Sequence, residues 1–209
     1  MADEIRDGPK EMHGQSTSTS TSLLQRLKAR DEHGWQRLLT LYGPTVYGWC
    51  RHAGLSAEDA ADVGQEVFEA VSRSIADFRR ERPGDSFRGW MWTITRNKIR
   101  DLCRRNAGRA EAVGGSVVLQ QMLQIPDPVN DDSVTAQTAE ETQGLYHRAL
   151  ELIQTEFAEK TWRAFLLVTV EGKPAADVAA ELGMSLGAVY IAKSRVLGRL
   201  REEFGELVS

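Results

Sequence analysis

The sequence contains few of the residues from which metal centres and disulfide frameworks are built. It has two cysteines, Cys50 and Cys103, which form no CxxC pair, and its four histidines are scattered along 209 residues. Such a set excludes an obvious zinc site or a disulfide-stapled fold, and it favours small helix residues in a reducing compartment. We therefore expect no metal and no cofactor.

Catalytic motifs and long apolar runs are also missing. The sequence has no Gly-rich phosphate loop and no carboxylate pair that resembles a catalytic dyad, so we expect no covalent chemistry. Its longest apolar runs, such as residues 164–168, are far shorter than the roughly 20 residues that span a bilayer. The amino terminus has no cationic-then-apolar signal pattern, which predicts a cytoplasmic protein with no membrane partner.

Charge is present but segmented. The net charge is only -4, which on its own argues against nucleic-acid binding. Residues 79–109, however, contain ten basic and three acidic residues, whereas residues 110–143 contain no lysine or arginine. The six acidic residues of this second segment are Glu111, Asp127, Asp131, Asp132, Glu140 and Glu141. This clustering favours a nucleic-acid-binding segment followed by an acidic one.

Apolar spacing predicts an all-α protein. The periodicity is helical over residues 23–106 and again towards the carboxy terminus, without the alternation typical of strands. We expect two small helical domains, residues 23–106 and 144–209, joined by a flexible acidic linker at residues 107–143 that is interrupted by glycine and proline. Residues 1–22 are polar and repetitive, which is typical of a disordered tail.

The carboxy-terminal domain has the spacing of a helix-turn-helix. Ala179 provides a small residue where two helices cross, Gly183 suits a left-handed turn, and Val189 would lock the second helix. Ser185 can cap that helix. A plain helical hairpin with a solvated face is the alternative, but the register of these residues favours DNA recognition.

A helical wheel divides the second helix of this motif into two sides. The side expected to be core contains Leu186, Val189, Val196, Leu197 and Leu200. Ala188, Ile191 and Arg195 point the opposite way, towards a DNA groove. An exposed isoleucine can contact a thymine methyl group, and arginine can bind guanine with two hydrogen bonds.

A helix with a polar face is predicted after residue 56. Ser56 is a plausible cap with Asp59 three residues later, and Val63, Val67 and Val71 share one side. The other side contains Asp62, Gln65, Glu66, Glu69 and Arg73. By itself such a face is most simply explained by solvation, and a binding surface is the alternative.

The basic segment mixes aromatic and cationic residues. If residues 87–96 are helical, Phe87, Trp90, Met91 and Ile94 form a buried stripe. Trp92 lies on another face between arginines, where it could stack on an unpaired base. Lys98, Arg100, Arg104 and Arg105 could follow a phosphate chain, although a helix merely solubilised by arginine would show similar composition.

Three stretches together carry a resemblance to a known family. They are "DVGQEVF" at residues 62–68, "FRGWMWTITRNKIRDLCRR" at residues 87–105, and the helix-turn-helix that ends in "KSRVLGRLR". In this order they resemble bacterial sigma factors of the extracytoplasmic-function class, which are small initiation subunits of RNA polymerase.

The resemblance implies three binding surfaces. The first would bind the clamp helices of the largest polymerase subunit through Asp62, Gln65, Glu66, Phe68 and Glu69. The second would recognise and melt the minus-ten promoter element through Arg88, Trp92, Arg96, Asn97, Lys98, Arg100, Arg104 and Arg105. The third would read the minus-thirty-five element as intact duplex through Ser185, Gly187, Ala188, Tyr190, Ile191, Lys193, Ser194 and Arg195. An anti-sigma protein is a further candidate partner.

One departure from the family pattern affects the third surface. In many members the Lys-Ser-Arg triplet follows directly after the glycine-x-valine of the recognition helix, whereas "YIA" intervenes here. Lys193 therefore lies nearer the buried side, and we expect it to contact phosphate or to snorkel. Individual base contacts do not transfer from the family.

Two other functions fit parts of the sequence. A self-sufficient helix-turn-helix repressor or activator would use its amino-terminal domain to sense a signal or to dimerise. A nucleic-acid enzyme would use the basic segment as a platform, but the sequence supplies no metal cluster or nucleophile for it.

Overall fold

All regular structure in the described part of the chain is helical. The computed structural model describes residues 22–81, 85–110, 135–205 and 207, and it confirms the predicted all-α class. A 3₁₀ turn, Ile75–Asp77, follows the third helix. The helices are α1 (Leu23–Lys28), α2 (Glu32–His52), α3 (Ala57–Ser74), α4 (Phe87–Ala110), α5 (Thr135–Gln154), α6 (Glu159–Thr169), α7 (Ala175–Leu182) and α8 (Leu186–Phe204).

The helices reach further than the sequence predicts at both edges of the linker. Helix α4 continues to Ala110 and α5 begins at Thr135, so both enter the segment 107–143. The rest of that linker, residues 111–134, and the polar tail up to residue 21 lie outside the described residues. No single helix among the described residues has both the length and the apolar character needed to cross a membrane.

Side-chain caps define where the amino-terminal helices begin. Ser22 accepts a hydrogen bond from the backbone N–H of Gln25, and the Gln25 side chain accepts one from the N–H of Ser22. Ser56 caps α3 by accepting from the N–H of Asp59 at 3.0 Å, as the sequence predicts. Each bond satisfies an N–H that has no partner inside its helix.

Helices α1–α4 form an amino-terminal bundle around an apolar core. Val63, Val67 and Val71 of α3 are buried on one side of that helix. Aromatic rings fill the space between α2 and α4, where Tyr42 and Phe87 meet edge to face with centroids 5.3 Å apart. Helix α4 is therefore held between α2 and α3, and only part of its circumference meets solvent.

Helices α7 and α8 form the predicted helix-turn-helix. Their axes are bent by 104°, within the range of about 90–120° typical of the motif. Gly183 ends α7 with a φ of 57°, and Ser185 caps α8 by accepting from the N–H of Ala188 at 3.1 Å. Val189 is buried against Ala179 in a small core shared with α6. These four predicted roles are confirmed.

The amino- and carboxy-terminal halves share one core. Leu23 and Leu27 of α1 belong to the same buried cluster as Phe204 and Leu207 near the carboxy terminus. The hydroxyl of Tyr42 donates to the carbonyl of Leu207, and burial raises the pKa of this tyrosine, so it remains a donor. We call the contacts of α5 and of residues 199–205 and 207 with α1 and α2 the closure interface.

An ion-pair network crosses the closure interface. Arg37 of α2 donates to the carbonyl of Leu152 at 3.1 Å, and its Nε lies 3.4 Å from the buried carboxylate of Glu203. Arg199 bridges Glu156 at 2.6 Å and Glu203 at 2.8 Å. Partial burial opposes the charged form of Arg199, but its bonds to the two carboxylates outweigh this and raise its pKa.

Candidate nucleic-acid interface

An apolar groove runs between α2 and α3 on the face of the predicted polymerase contacts. Its volume is about 570 Å³. Phe68 lies in its wall, and Gln65 and Glu69 line it beside Leu39 and Tyr47 of α2. Asp62, also predicted as a contact, is exposed on the same helix. We call this surface the α2–α3 groove.

The contribution of α2 to this groove is not predicted from the sequence. Leu39 is 46% exposed and Tyr47 is 41% exposed, although both are large apolar residues. They recur with Trp35 and Gly43 at every fourth position and line the groove together. That spacing places them on one stripe of a helix, which is the signal that could have identified a second apolar face on α2.

Glu66 differs from its neighbours because it faces α4 rather than the groove. Its carboxylate accepts from Arg105 at 2.9 Å and lies 3.4 Å from the Lys98 ammonium. Slight burial would raise the pKa of Glu66, but the hydrogen bonds from Arg105 and Lys98 outweigh it and lower that pKa. A predicted polymerase contact is therefore paired with two predicted DNA contacts.

Helix α4 distributes the predicted minus-ten contacts over its circumference. Successive residues of a helix are rotated by about 100°, so this long set cannot share one face. Arg96 and Arg100 are half-buried. The others lie on three sides, with Arg88 and Trp92 against α2, Asn97 and Arg104 exposed to solvent, and Lys98 and Arg105 towards α3.

The prediction that Trp92 is exposed for base stacking is wrong for this conformation. Trp92 is 6% exposed, and its ring meets that of Trp49 edge to face with centroids 5.2 Å apart. Trp90, expected in the core, is only half-buried against Phe78. The error arises because α4 is packed on both sides, so the face opposite the Phe87 stripe is also covered.

Arg88 is held by residues from two other helices. Its guanidinium carbon lies 5.6 Å from the centroid of the Trp49 ring, and its Nη2 donates to Glu141 of α5 at 2.5 Å. The indole N–H of Trp49 donates to the same carboxylate oxygen at 3.0 Å. A predicted DNA contact is thus paired with a carboxylate from the other half of the chain.

Helix α8 presents an exposed face at its amino-terminal end. Tyr190 and Ile191 are exposed large side chains, although apolar surface is usually buried. Ser194 and Arg195 are exposed as well, Ala188 and Lys193 are half-buried, and Gly187 leaves the first turn open. We call this surface the recognition face, and it brings the predicted duplex contacts together.

One residue on this helix is misplaced by the sequence analysis. Leu186 was expected on the core side with Val189, but it is 46% exposed. It is the first residue of α8 and immediately follows the cap Ser185. At that position the core formed by α6 and α7 does not reach it, so the helical wheel overestimates the buried stripe by one residue.

The described residues contain no cluster of three or more histidine, cysteine or acidic side chains with the geometry to hold a metal ion. Cys50 and Cys103 are both buried. Burial raises the pKa of Cys50 to about 11. These thiols therefore behave as small apolar residues within the bundle.

Comparisons with known proteins match both halves of the chain. A profile described as "Sigma-70 region 2" matches residues 38–109. The chain is 30% identical over 183 residues to "ECF RNA polymerase sigma factor SigD" of Mycobacterium tuberculosis, covering 84% of this chain and 79% of SigD. It is 28% identical over 177 residues to "ECF RNA polymerase sigma factor SigE" of Mycolicibacterium smegmatis, covering 80% of this chain and 60% of SigE.

A solved structure, "Structure of CnrH in complex with the cytosolic domain of CnrY", is also similar. It covers 85% of this chain and 92% of that chain at 21% identity, with a TM-score of 0.35.

Proposed function

The chain belongs to the extracytoplasmic-function (ECF) class of RNA polymerase sigma factors, and on this premise we propose that it binds core polymerase, selects promoters and helps to separate their strands. The observation that carries the proposal is the combination of the α2–α3 groove, the basic helix α4 and the recognition face in one chain. Initiation requires a single-strand surface distinct from a duplex reader. In this chain helix α4 is the candidate single-strand surface, and the recognition face is the candidate duplex reader.

The α2–α3 groove is the proposed polymerase-binding surface. Apolar grooves between two helices bind amphipathic helices, and the clamp helices that the family resemblance implies are such a partner. Phe68, Leu39 and Tyr47 supply apolar contact, while Gln65 and Glu69 supply polar specificity at the edge. Glu66 would contribute only if it leaves Lys98 and Arg105.

Helix α4 is the proposed minus-ten surface. Asn97 and Arg104 are exposed, and the pair that Arg104 forms with Asp101 at 3.3 Å is itself open to solvent, so a melted strand can reach both side chains. Arginine binds phosphate through charge-assisted hydrogen bonds, and an asparagine amide can bond to the edges of unpaired bases. Trp92 would take part only after a change that exposes its ring.

The recognition face is the proposed minus-thirty-five reader. The two small residues Gly187 and Ala188 let the start of α8 approach a major groove closely. Tyr190 and Ile191 would contact base edges, and Arg195 would bind guanine or phosphate.

Further expectations follow from this function. We propose that the chain is a non-catalytic subunit that works in the cytoplasm, where it would meet polymerase and promoter DNA. The exposed apolar groove is also a candidate surface for an anti-sigma protein, because exposed apolar patches are typical of protein–protein interaction sites.

Reconstituted transcription tests the proposal. The chain should direct core polymerase to produce specific transcripts from genomic fragments, and Leu39→Ala with Gln65→Ala should weaken binding to core polymerase about tenfold or more. Glu58→Ala, an exposed change on α3 outside the groove lining, is the matched control. Tight promoter binding without polymerase, and no association with core enzyme, would instead identify a repressor.

A further inference from the structure

Arg88 and Trp49 form an anion-binding site that the carboxylate of Glu141 occupies. The Arg88 guanidinium lies over the Trp49 ring, and the Glu141 carboxylate accepts from both residues. Arg88 and Glu141 side chains are 21% and 19% exposed, so this pair is shielded from water more than most surface ion pairs.

The same two residues, Arg88 and Trp49, have the chemistry of a nucleic-acid contact. A guanidinium forms two-point hydrogen bonds to phosphate as well as to carboxylate, and an indole N–H can donate to either anion. The carboxylate of Glu141 therefore occupies the position that a strand phosphate would take at Arg88.

We propose that the turn of α5 formed by residues 139–142 is a gate over this site, in which Glu141 competes with promoter phosphate for Arg88 until polymerase or DNA displaces it. This inference rests on the proposed function, because it assigns regulation to the minus-ten surface. The gate lowers the affinity of the free chain for single-stranded DNA.

The turn of α5 that carries Glu141 has exposed residues on its other sides. The first turn of α5 has no acidic residue to interact with the helix dipole. Ala139 and Glu140 are exposed, and Gly144 in the next turn lowers the helical stability of this end. We expect that this turn can separate from Arg88 without unfolding the rest of α5.

The remainder of α5 is firmly anchored. Leu145, Ala149 and Ile153 are buried in the shared core. Arg148 donates to the Leu41 carbonyl at 2.7 Å and to the Thr45 hydroxyl at 2.8 Å. Only the end of α5 that carries Glu141 is therefore displaced. The anchored turns keep this end close enough for Glu141 to bind Arg88 again.

The buried indole of Trp92 is a second reason to expect rearrangement beside the gate. It is the next ring beyond Trp49, and among the described residues its buried indole N–H has no hydrogen-bond partner. An unsatisfied buried donor is costly. Opening of the gate would let Trp49 and Trp92 rearrange and give this N–H access to water or to a base.

Neutralising Glu141 tests the gate in the full-length chain. The affinity for a fluorescent oligothymidylate is measured by anisotropy at low salt, without polymerase. Glu141→Gln should bind roughly three- to tenfold more tightly than the unmodified chain, as expected for release of a partly buried ion pair. Glu140→Gln, the same charge change at an exposed neighbour, should change affinity less than about twofold. Arg88→Ala combined with Glu141→Gln should abolish the gain.

A second readout is amide hydrogen exchange in α5. Glu141→Gln should accelerate exchange at residues 139–143 and leave residues 149–153 unchanged. Equal affinities of the Glu141→Gln and Glu140→Gln chains for the oligothymidylate, together with unchanged hydrogen exchange, would overturn the gate. Transcription with core polymerase would still support the proposed function in that case. Failure of the unmodified chain to bind core polymerase would overturn the proposed function, whatever Glu141 does.

Discussion

We expect a conservative substitution of Glu203 to lower the free energy of unfolding by an unusually large amount. Its side chain is fully buried, while its partners Arg199 and Arg37 are 18% and 20% exposed. Removing one partner of a buried pair typically costs about 3–5 kcal/mol. Glu203→Gln keeps one carbonyl acceptor and both arginines keep Glu156, so we expect a loss of about 2 kcal/mol in the free energy of unfolding.

Thermal and urea unfolding, followed by tryptophan fluorescence, measure this loss. For a chain of this size about 2 kcal/mol corresponds to a fall in Tm of roughly 4–8 °C. Glu202→Gln removes the same charge from an exposed neighbour and should stay within about 0.5 kcal/mol of the unmodified chain. Equal stabilities of the two variants would refute the reasoning, because the closure interface would then not depend on the buried carboxylate.

Two further predictions concern the helix-turn-helix and the thiols. Gly183→Ala should lower the free energy of unfolding by about 1 kcal/mol, because the φ of 57° at Gly183 disfavours a Cβ. Gly187→Ala lies in an exposed helical turn with open space around it and should raise the free energy of unfolding by roughly 0.5–1 kcal/mol. Thermal melts that rank the two variants the other way would contradict this prediction. In the folded chain Cys50 should not react with Ellman's reagent at pH values well below its pKa of about 11, because its thiol is buried and protonated. Denaturant should restore the reaction, and a fast-reacting Cys50 in the native chain would show that the bundle opens near it.

The features predicted well from the sequence are those encoded within a few residues. Ser56, Gly183 and Ser185 act through their own backbone neighbours, as caps or turn residues. Val189 is fixed by its distance from that turn. Such signals do not depend on what the rest of the chain packs against.

The features predicted poorly depend on contacts distant in sequence. A helical wheel shows that Trp92 shares a face with Arg88, but it does not show that Trp49 covers that face. Leu39 and Tyr47 were missed for the converse reason, because an apolar stripe on α2 was left without a covering helix. Sequence spacing defines faces, whereas tertiary packing decides which of them remain open.

Phe204 and Leu207 share a buried cluster with Leu23 and Leu27. Helix α1 and the carboxy-terminal end of α8 therefore pack as one unit. We therefore expect substitutions that disturb the packing of α1 to disturb α8, the helix that carries Tyr190 and Ile191 at its other end. If the recognition face reads promoters as proposed, a genetic selection for altered promoter choice should recover changes in α1 as well as on that face.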